Sequence, residues 1–213
     1  MLKKIILIPL ISFVLVLVAA DLGIKYVAQL GVAKELQSTL HLTARPDVSL
    51  SGFPFLYHVV KGNFDSARLK AGPGLASGVP FHSVTLTLQH VQFATGKLAT
   101  GKGGPIQADA GTGTVGMTGR GVTKVLRDRG IPVTVQFIGT KAVLSNAQLG
   151  KVSAGVSVSA GMLLLVPASG QSAFSLRLPP LIKDIRYTGV KLAGGVAFVS
   201  FRLDHPKFEV PKV

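Results

Sequence analysis

Apolar and polar residues follow two different periods along the chain, one near the N-terminus and another through the remainder. In residues 21–42, DLGIKYVAQLGVAKELQSTLHL, apolar residues recur at spacings of three and four. That spacing predicts a long amphipathic helix that starts at Asp21 and ends before Pro46. We expect its apolar face to pack on the core, because the polar face lacks the dense basic charge of an interfacial membrane helix. The apolar face comprises Leu22, Tyr26, Leu30, Ala33, Leu36 and Leu40.

Beyond Pro46 the apolar positions alternate, and this alternation predicts strands. In FHSVTLTLQHVQF, residues 81–93, Val84, Leu86 and Leu88 face one side. The phase of the alternation shifts near His90, where Val91 and Phe93 take over. One short helix is predicted at residues 122–129. Further strands are predicted in residues 46–52, 62–70, 106–115, 133–138, 141–149, 152–159, 162–166, 173–178, 182–189 and 195–203.

These elements predict an α+β fold in which a long, curved antiparallel sheet wraps around the amphipathic helix. No linker divides residues 21–213, so we expect a single domain. Many strands are polar on one face through Ser, Thr and Gly rather than through charge. A sheet of this kind, curled around a helix, is able to enclose an apolar cavity.

Residues 1–20, MLKKIILIPLISFVLVLVAA, form a separate unit of sequence. Lys3 and Lys4 precede an apolar run that ends in small residues, which is the pattern of a secretory signal peptide. The run is shorter than the roughly 20 residues of a spanning helix. We therefore expect export, with the segment either cleaved near Ala20 or retained as a membrane anchor; a buried core helix is the third alternative.

Composition and charge narrow the classes of partner. The chain has 213 residues, of which 47% are hydrophobic and 15% charged, and its formal net charge is +14. Outside the cytoplasm such a charge favours anionic phospholipid or acidic envelope glycans over nucleic acid. Simple solubility is the alternative explanation. The absence of cysteine excludes disulfides, iron–sulfur clusters and lipidation at a cysteine.

Two glycine-rich segments match nucleotide-binding motifs only by letter. GTGTVG, residues 111–116, has the G-x-G-x-x-G spacing, but MTGRG follows it where a helix must start, and no acidic residue stands 20 positions on. We interpret it as a strand of small residues. GKLATGKG, residues 96–103, has Gly103 where a phosphate-binding loop needs Ser or Thr, so we interpret it as a basic hairpin loop.

No arrangement of catalytic or metal-binding residues emerges from the spacing. The five histidines are scattered, with no i,i+4 pair, so we expect no metal site. No G-x-S-x-G motif occurs. Asp47 and Asp65 are an example of a carboxylate pair, but nothing singles them out. We therefore expect a protein that is not an enzyme and needs no cofactor, while an unrecognised hydrolase or transferase stays open.

Residues 51–64, SGFPFLYHVVKGNF, gather much of the aromatic content of a chain that has no tryptophan. The segment suits a corner of the core, a membrane-inserting loop or the rim of a ligand cavity. A strand that ends in Gly52, then Phe53-Pro54-Phe55-Leu56, then Gly62 at the start of a second strand, resembles the signature of the LmeA-type phospholipid-binding proteins of actinobacterial envelopes. The order of the other elements, including LPPLIKDIRYTGVKLAGGVAFVSF near the end, is also similar to that family.

The resemblance implies an elongated, helix-wrapped sheet related to the tubular lipid-binding (TULIP-like) fold, with a cavity for acyl chains. It also implies phospholipid binding and support of envelope glycolipid assembly, such as lipomannan elongation, in the periplasm or cell envelope. The strongly basic charge of this chain is not a known mark of the family, and the glycine-rich segment 94–121 matches no pattern of it.

We therefore expect an exported phospholipid-binding protein that favours anionic lipid and works at a membrane surface. A ligand-free envelope scaffold is the alternative. The candidate lipid-binding residues are Phe53, Phe55 and Leu56 at the rim, and Phe64, Val84, Leu86 and Leu88 in the interior. The candidate head-group residues are Lys61, Arg68 and Lys70. Each of these residues has a purely structural explanation as its alternative.

Overall fold

The computed structural model describes residues 17–26, 29–30, 33–34, 37, 42–76, 78–93, 104–147, 150–170, 172–178 and 185–210. These residues form three helices: α1 at residues 17–26, α2 at Phe55–Lys61 and α3 at Gly119–Asp128. The strands are β1 Asp47–Ser51, β2 Asn63–Ala71, β3 Gly74–Ala76, β4 Val79–Phe81, β5 Ser83–Phe93, β6 Gly104–Gln107, β7 Ala110–Thr118, β8 Thr134–Ile138, β9 Lys141–Asn146, β10 Gly150–Ser159, β11 Met162–Pro167, β12 Phe174–Arg177, β13 Ile185–Ala193, β14 Val196–Asp204 and β15 Lys207–Val210.

The strands of the described residues pair antiparallel throughout, in two main sheets and one ribbon. The large sheet has the order β1-β2-β5-β7-β14-β13, and β6 joins β5 to β15 at one end of it. The second sheet has the order β12-β11-β10-β9-β8, and β3 pairs with β4. β10 lies beside β13, so the two main sheets adjoin. The predicted α+β class is correct, but the strands divide between two main sheets instead of forming a single long one.

The inner face of the large sheet supplies much of the core. Rows of apolar residues run across the strands: Leu69, Leu86 and Phe201 lie in one row, and Ala67, Leu88 and Leu203 in the next. The predicted phase shift near His90 is confirmed. His90 has a φ of 48°, and Leu88 and Val91 on either side of it are both buried.

Helix α3 starts at Thr118, whose side chain accepts a hydrogen bond from Gly121 N at 3.1 Å. Its apolar residues Val122 and Leu126 are fully buried. The Thr123 hydroxyl donates to Gly119 O and accepts from Val135 N, both at 2.8 Å, which ties α3 to β8. The predicted helix at residues 122–129 therefore exists and starts one turn earlier.

The prediction for the first helix is wrong in its start and in part of its buried face. Residues 17–26 are already helical, so Asp21 lies within α1 and not at its beginning. Leu22 and Tyr26 are exposed, while Asp21 is buried. The carboxylate faces inward because it accepts hydrogen bonds from the backbone of α2. The apolar positions next to it in the sequence therefore face outward. Residues 29, 30, 33, 34 and 37 are also helical and Ala33 is buried, whereas Leu36 and Leu40 lie outside the described residues.

Other local predictions differ from the structure. The strand predicted at residues 106–115 is two strands, β6 and β7, interrupted at residues 108–109. The sequence did not predict the short helix α2 between Gly52 and Gly62, and β3, β4 and β15 were not expected. GTGTVG lies within β7, as the strand interpretation predicted. The basic hairpin loop at 96–103 and residues 1–16 lie outside the described residues. Within the described residues no helix is long and apolar enough to cross a membrane.

Candidate functional site

The GFPFL segment forms a tight turn followed by the short helix α2. Gly52 has a φ of 144°, and a Cβ at this position would lie 2.7 Å from Cδ2 of His58, so only glycine fits. The Phe53–Pro54 peptide bond is cis. Gly62 ends α2 in the left-handed conformation, with a φ of 73°, and leads directly into β2. The two glycines thus mark the two ends of the segment.

The inward side of this segment is an aromatic stack. Phe55 is 2% exposed, and its ring lies 5.2 Å from that of Phe64. Phe64 in turn lies 5.4 Å from Phe93, and the His58 ring stacks on Phe64 at 6.0 Å. His58 Nδ1 is 3.0 Å from the carbonyl oxygen of Asn63. Stacked rings of this kind anchor α2 to the end of the large sheet.

Asp21 holds the N-terminus of α2 from a distance in sequence. Its two carboxylate oxygens accept hydrogen bonds from Phe55 N and Leu56 N, each at 2.7 Å. The carboxylate is 4% exposed. It satisfies two backbone donors that the helix leaves free, and its negative charge lies at the positive end of the helix. α1 and α2 are therefore joined directly.

The outward side of the same segment is apolar and open to solvent. Phe53 is 64% exposed and Val60 is 78% exposed, with Leu56 and Tyr57 also exposed. Nζ of Lys61 lies 4.6 Å from the centre of the Tyr57 ring. The candidate rim residues thus face in different directions. Phe53 and Leu56 face outward, whereas Phe55 faces inward and packs on Phe64.

The candidate interior residues lie on the inner face of the large sheet. Phe64, Val84, Leu86 and Leu88 are all buried there. Around the glycines of β7 the packing is close: a Cβ at Gly113 would lie 2.5 Å from Cζ of Phe201. A Cβ at Gly111 would lie 3.0 Å from both Leu88 and Leu203. Small residues in β7 therefore make room for neighbouring side chains and do not line an open tube at this position.

The candidate head-group residues do not come together. Arg68 and Lys70 project from the outer face of the large sheet, where Arg68 pairs across to Thr87 and Lys70 to Thr85. The outer face is opposite to the one that holds Leu86 and Leu88. Lys61 stands apart from both, at the end of α2. Lys61 lies beside Tyr57, which follows the exposed Leu56 in the sequence.

Comparison with known proteins identifies the family. A family model described as LmeA-like phospholipid-binding matches residues 19–197. The chain belongs to this LmeA-like family. No curated protein and no solved structure matches it. The match covers α1, the GFPFL segment and the strands through the start of β14, so the resemblance found in the sequence is confirmed.

Membership of the LmeA-like family indicates lipid binding. The family is of a lipid-binding and non-catalytic type, which is consistent with a protein that is not an enzyme. In the described part of the chain, no group of three or more His, Asp or Glu side chains is placed to hold a metal ion.

Two features of this LmeA-like chain were not anticipated from its sequence. The first is the contact of Asp21 with α2, because no local pattern connects residues 34 and 35 positions apart. The second is a cleft of about 260 Å³ that is lined by Gln92, Gln107, Ala108, Asp109, His205 and Lys207. His90 Nδ1 lies 3.1 Å from an oxygen of Asp109 nearby. His90 and His205 have positive φ angles, a signal that only the structure supplies.

Proposed function

We propose that this protein is an exported phospholipid-binding protein without catalytic activity, which takes up acyl chains and supports the assembly of lipids or lipoglycans in a cell envelope. The family match over residues 19–197 carries the lipid-binding part of the proposal. The secretory pattern of residues 1–20 supports export.

The geometry of α2 supports a route for the lipid. Phe53 and Leu56 are exposed at the rim, and the stack of Phe55 and Phe64 leads from α2 to the inner face of the large sheet. An acyl chain that enters beside α2 meets this inner face, where Val84, Leu86 and Leu88 offer apolar contact. Each buried CH₂ of the chain contributes about 0.8 kcal/mol. Because the inner face is closely packed at Gly113, uptake involves a rearrangement of these side chains.

Lys61 is the residue that we assign to the lipid phosphate. It is exposed at the end of α2, beside Tyr57 and close to the rim. Arg68 and Lys70, on the opposite face of the sheet, do not reach a lipid in this position, although they add to the attraction for an anionic membrane. The preference for anionic lipid follows from the net charge of +14.

A ligand-free scaffold in the envelope is the second candidate function. The close contact between Gly113 and Phe201 favours it, because this part of the inner face leaves no room for an acyl chain in this conformation.

The test is to purify the protein from the envelope of the expressing cell and to identify bound lipid by native mass spectrometry. We expect stoichiometric phospholipid, which returns when the delipidated protein is mixed with vesicles. Phe53→Ser should reduce this uptake without unfolding the protein, and Ile138→Ser, an equally exposed apolar position on β8, is the matched control. Protein that carries no lipid and takes none up would favour the scaffold.

A further inference from the structure

Exposed apolar side chains are concentrated in one part of the structure. Eleven large apolar side chains are exposed among the described residues, and eight of them lie on α1, on α2 or at the turn before α2. We call these eight the α1–α2 apolar surface: Leu17, Leu22, Ile24, Tyr26, Phe53, Leu56, Tyr57 and Val60. Folded proteins rarely leave so many large apolar groups together in water unless the surface has a partner.

The two helices that carry these residues are in direct contact through Asp21. The carboxylate of Asp21 lies in the middle of α1 and bonds to the first two residues of α2. This buried contact fixes one helix against the other. The exposed apolar side chains lie on the two helices that this contact joins and at the turn before α2.

The charges around this surface are positive. Asp21 is the only acidic residue in residues 17–26 and 51–62, and it is buried in its contact with α2. Lys25 on α1 is half-buried, and Lys61 on α2 is exposed beside the Tyr57 ring. An apolar surface with cations beside it, and with tyrosines that have both apolar and polar parts, matches the head-group region of an anionic bilayer.

The chain also leads to this surface from an apolar segment. Residues 5–18 carry no charge and run directly into α1. A second copy of the chain would bring Lys25 and Lys61 of the two copies close together, and no acidic side chain of this surface would offset their repulsion. A bilayer fits the sequence and the charge better than such a dimer.

We propose that the α1–α2 apolar surface docks on an anionic phospholipid bilayer. Its tyrosines and aliphatic side chains enter the boundary between head groups and acyl chains, and Lys25 and Lys61 contact lipid phosphates. This inference goes beyond the proposed function, because a protein that takes up no lipid is still able to dock in this way.

The absence of tryptophan from the chain allows a direct test. Val60→Trp introduces a single tryptophan on the surface, and Ile138→Trp introduces one at an exposed position on β8. The full-length chain is reconstituted with vesicles of phosphatidylglycerol and phosphatidylcholine that carry bromine on their acyl chains. We expect a blue shift and strong quenching of the tryptophan at position 60, and neither at position 138. Circular dichroism checks that both variants fold as the parent does.

Equal quenching at the two positions, or none at position 60, would overturn the proposal. A blue shift at position 60 that grows with protein concentration in the absence of lipid would indicate that a second copy of the chain, and not a bilayer, covers this surface. The charge contribution is tested in the Val60→Trp background: Lys25→Ala with Lys61→Ala should reduce quenching several-fold on anionic vesicles and little on pure phosphatidylcholine. Lys141→Ala with Lys151→Ala is the matched control, and an equal effect of the two pairs would contradict a role of these two lysines in docking.

Lipid uptake is measured separately, on the same variants, by mass spectrometry of the protein after removal from the vesicles. Quenching without uptake contradicts the proposed function and leaves docking intact. Uptake without quenching at position 60 supports the proposed function and contradicts docking.

Discussion

Two phenylalanines two positions apart have opposite surroundings. Phe55 is buried, its ring packs on Phe64 and its backbone N–H donates to Asp21, whereas Phe53 is open to solvent. Phe55→Ser should lower the free energy of unfolding by about 3–5 kcal/mol, because it removes a ring from a packed core. Phe53→Ser should change it by less than about 0.5 kcal/mol. Urea unfolding followed by circular dichroism measures both, and similar losses for the two variants would contradict the assignment.

Asp21 gives a second prediction for a single residue. Asp21→Ala removes two charge-assisted hydrogen bonds and leaves the N–H groups of Phe55 and Leu56 without their acceptor. We expect a loss of about 2–4 kcal/mol in the free energy of unfolding. Asp21→Asn should lose less, since its amide oxygen still accepts one bond. Hydrogen exchange of the α2 amides should accelerate in both variants, and unchanged exchange would mean that α2 does not depend on this contact.

Tyr187 gives a prediction for alkaline pH. Burial raises the pKa of Tyr187 from 10.0 to about 12, because the charged phenolate is poorly solvated beside the Phe201 ring. The neutral form is favoured in the folded state, so its contribution to stability is complete below pH 10 and is lost as the pH rises to about 12. Tyrosinate absorbance during an alkaline titration should contain a step near pH 12 that is missing in Tyr187→Phe. A titration curve of identical shape in this variant would contradict the burial effect.

At the scale of elements, α3 depends on one buried hydroxyl. The Thr123 side chain bonds to Gly119 within the helix and to Val135 at the start of β8. Thr123→Val keeps the shape of the side chain but leaves Val135 N without an acceptor. We expect a loss of about 1–3 kcal/mol in thermal or urea unfolding. Thr85→Val on the outer face of the large sheet, where the exposed Thr85 hydroxyl bonds to that of Thr114, is the control and should cost less.

The elements with a clear period were predictable, and those fixed by distant contacts were not. Alternation along β5 predicted the strand, its buried face and the change of phase at His90, because every second side chain of a strand enters the core. The start of α1 was wrong because the burial of Asp21 depends on α2, more than thirty residues away in sequence. α2 was missed because its seven residues are too short to show a helical period.

The candidate site was predictable only in part for the same physical reason. The GFPFL letters identified the family, since the two glycines and the proline are set by local backbone geometry. The side of the sheet on which Arg68 and Lys70 project depends on the pairing of β2 with β5. Which phenylalanine faces inward depends on the packing of α2 against Phe64. Spacing along the chain does not contain that information.

At the scale of the whole molecule, the charge of +14 should govern the rate at which the protein associates with a membrane. The α1–α2 apolar surface should govern the rate at which it dissociates. We expect the association rate with anionic vesicles to fall steeply as salt rises from about 0.05 to 0.5 M, a range over which the Debye length shortens several-fold. The dissociation rate should change much less. Stopped-flow measurement of the Val60→Trp signal separates the two rates, and a dissociation rate that rises in step with salt would contradict this division.

The position of Asp21 sets a limit on how far the N-terminus can be trimmed. Cleavage after Ala20 keeps the carboxylate and puts a new terminal ammonium group next to it, whereas the removal of one more residue deletes the acceptor for both Phe55 N and Leu56 N. Processing up to residue 20 therefore keeps this acceptor for α2, and processing beyond residue 20 removes it. A protease that shortens the chain by a single further residue would uncouple α1 from α2 without touching a strand.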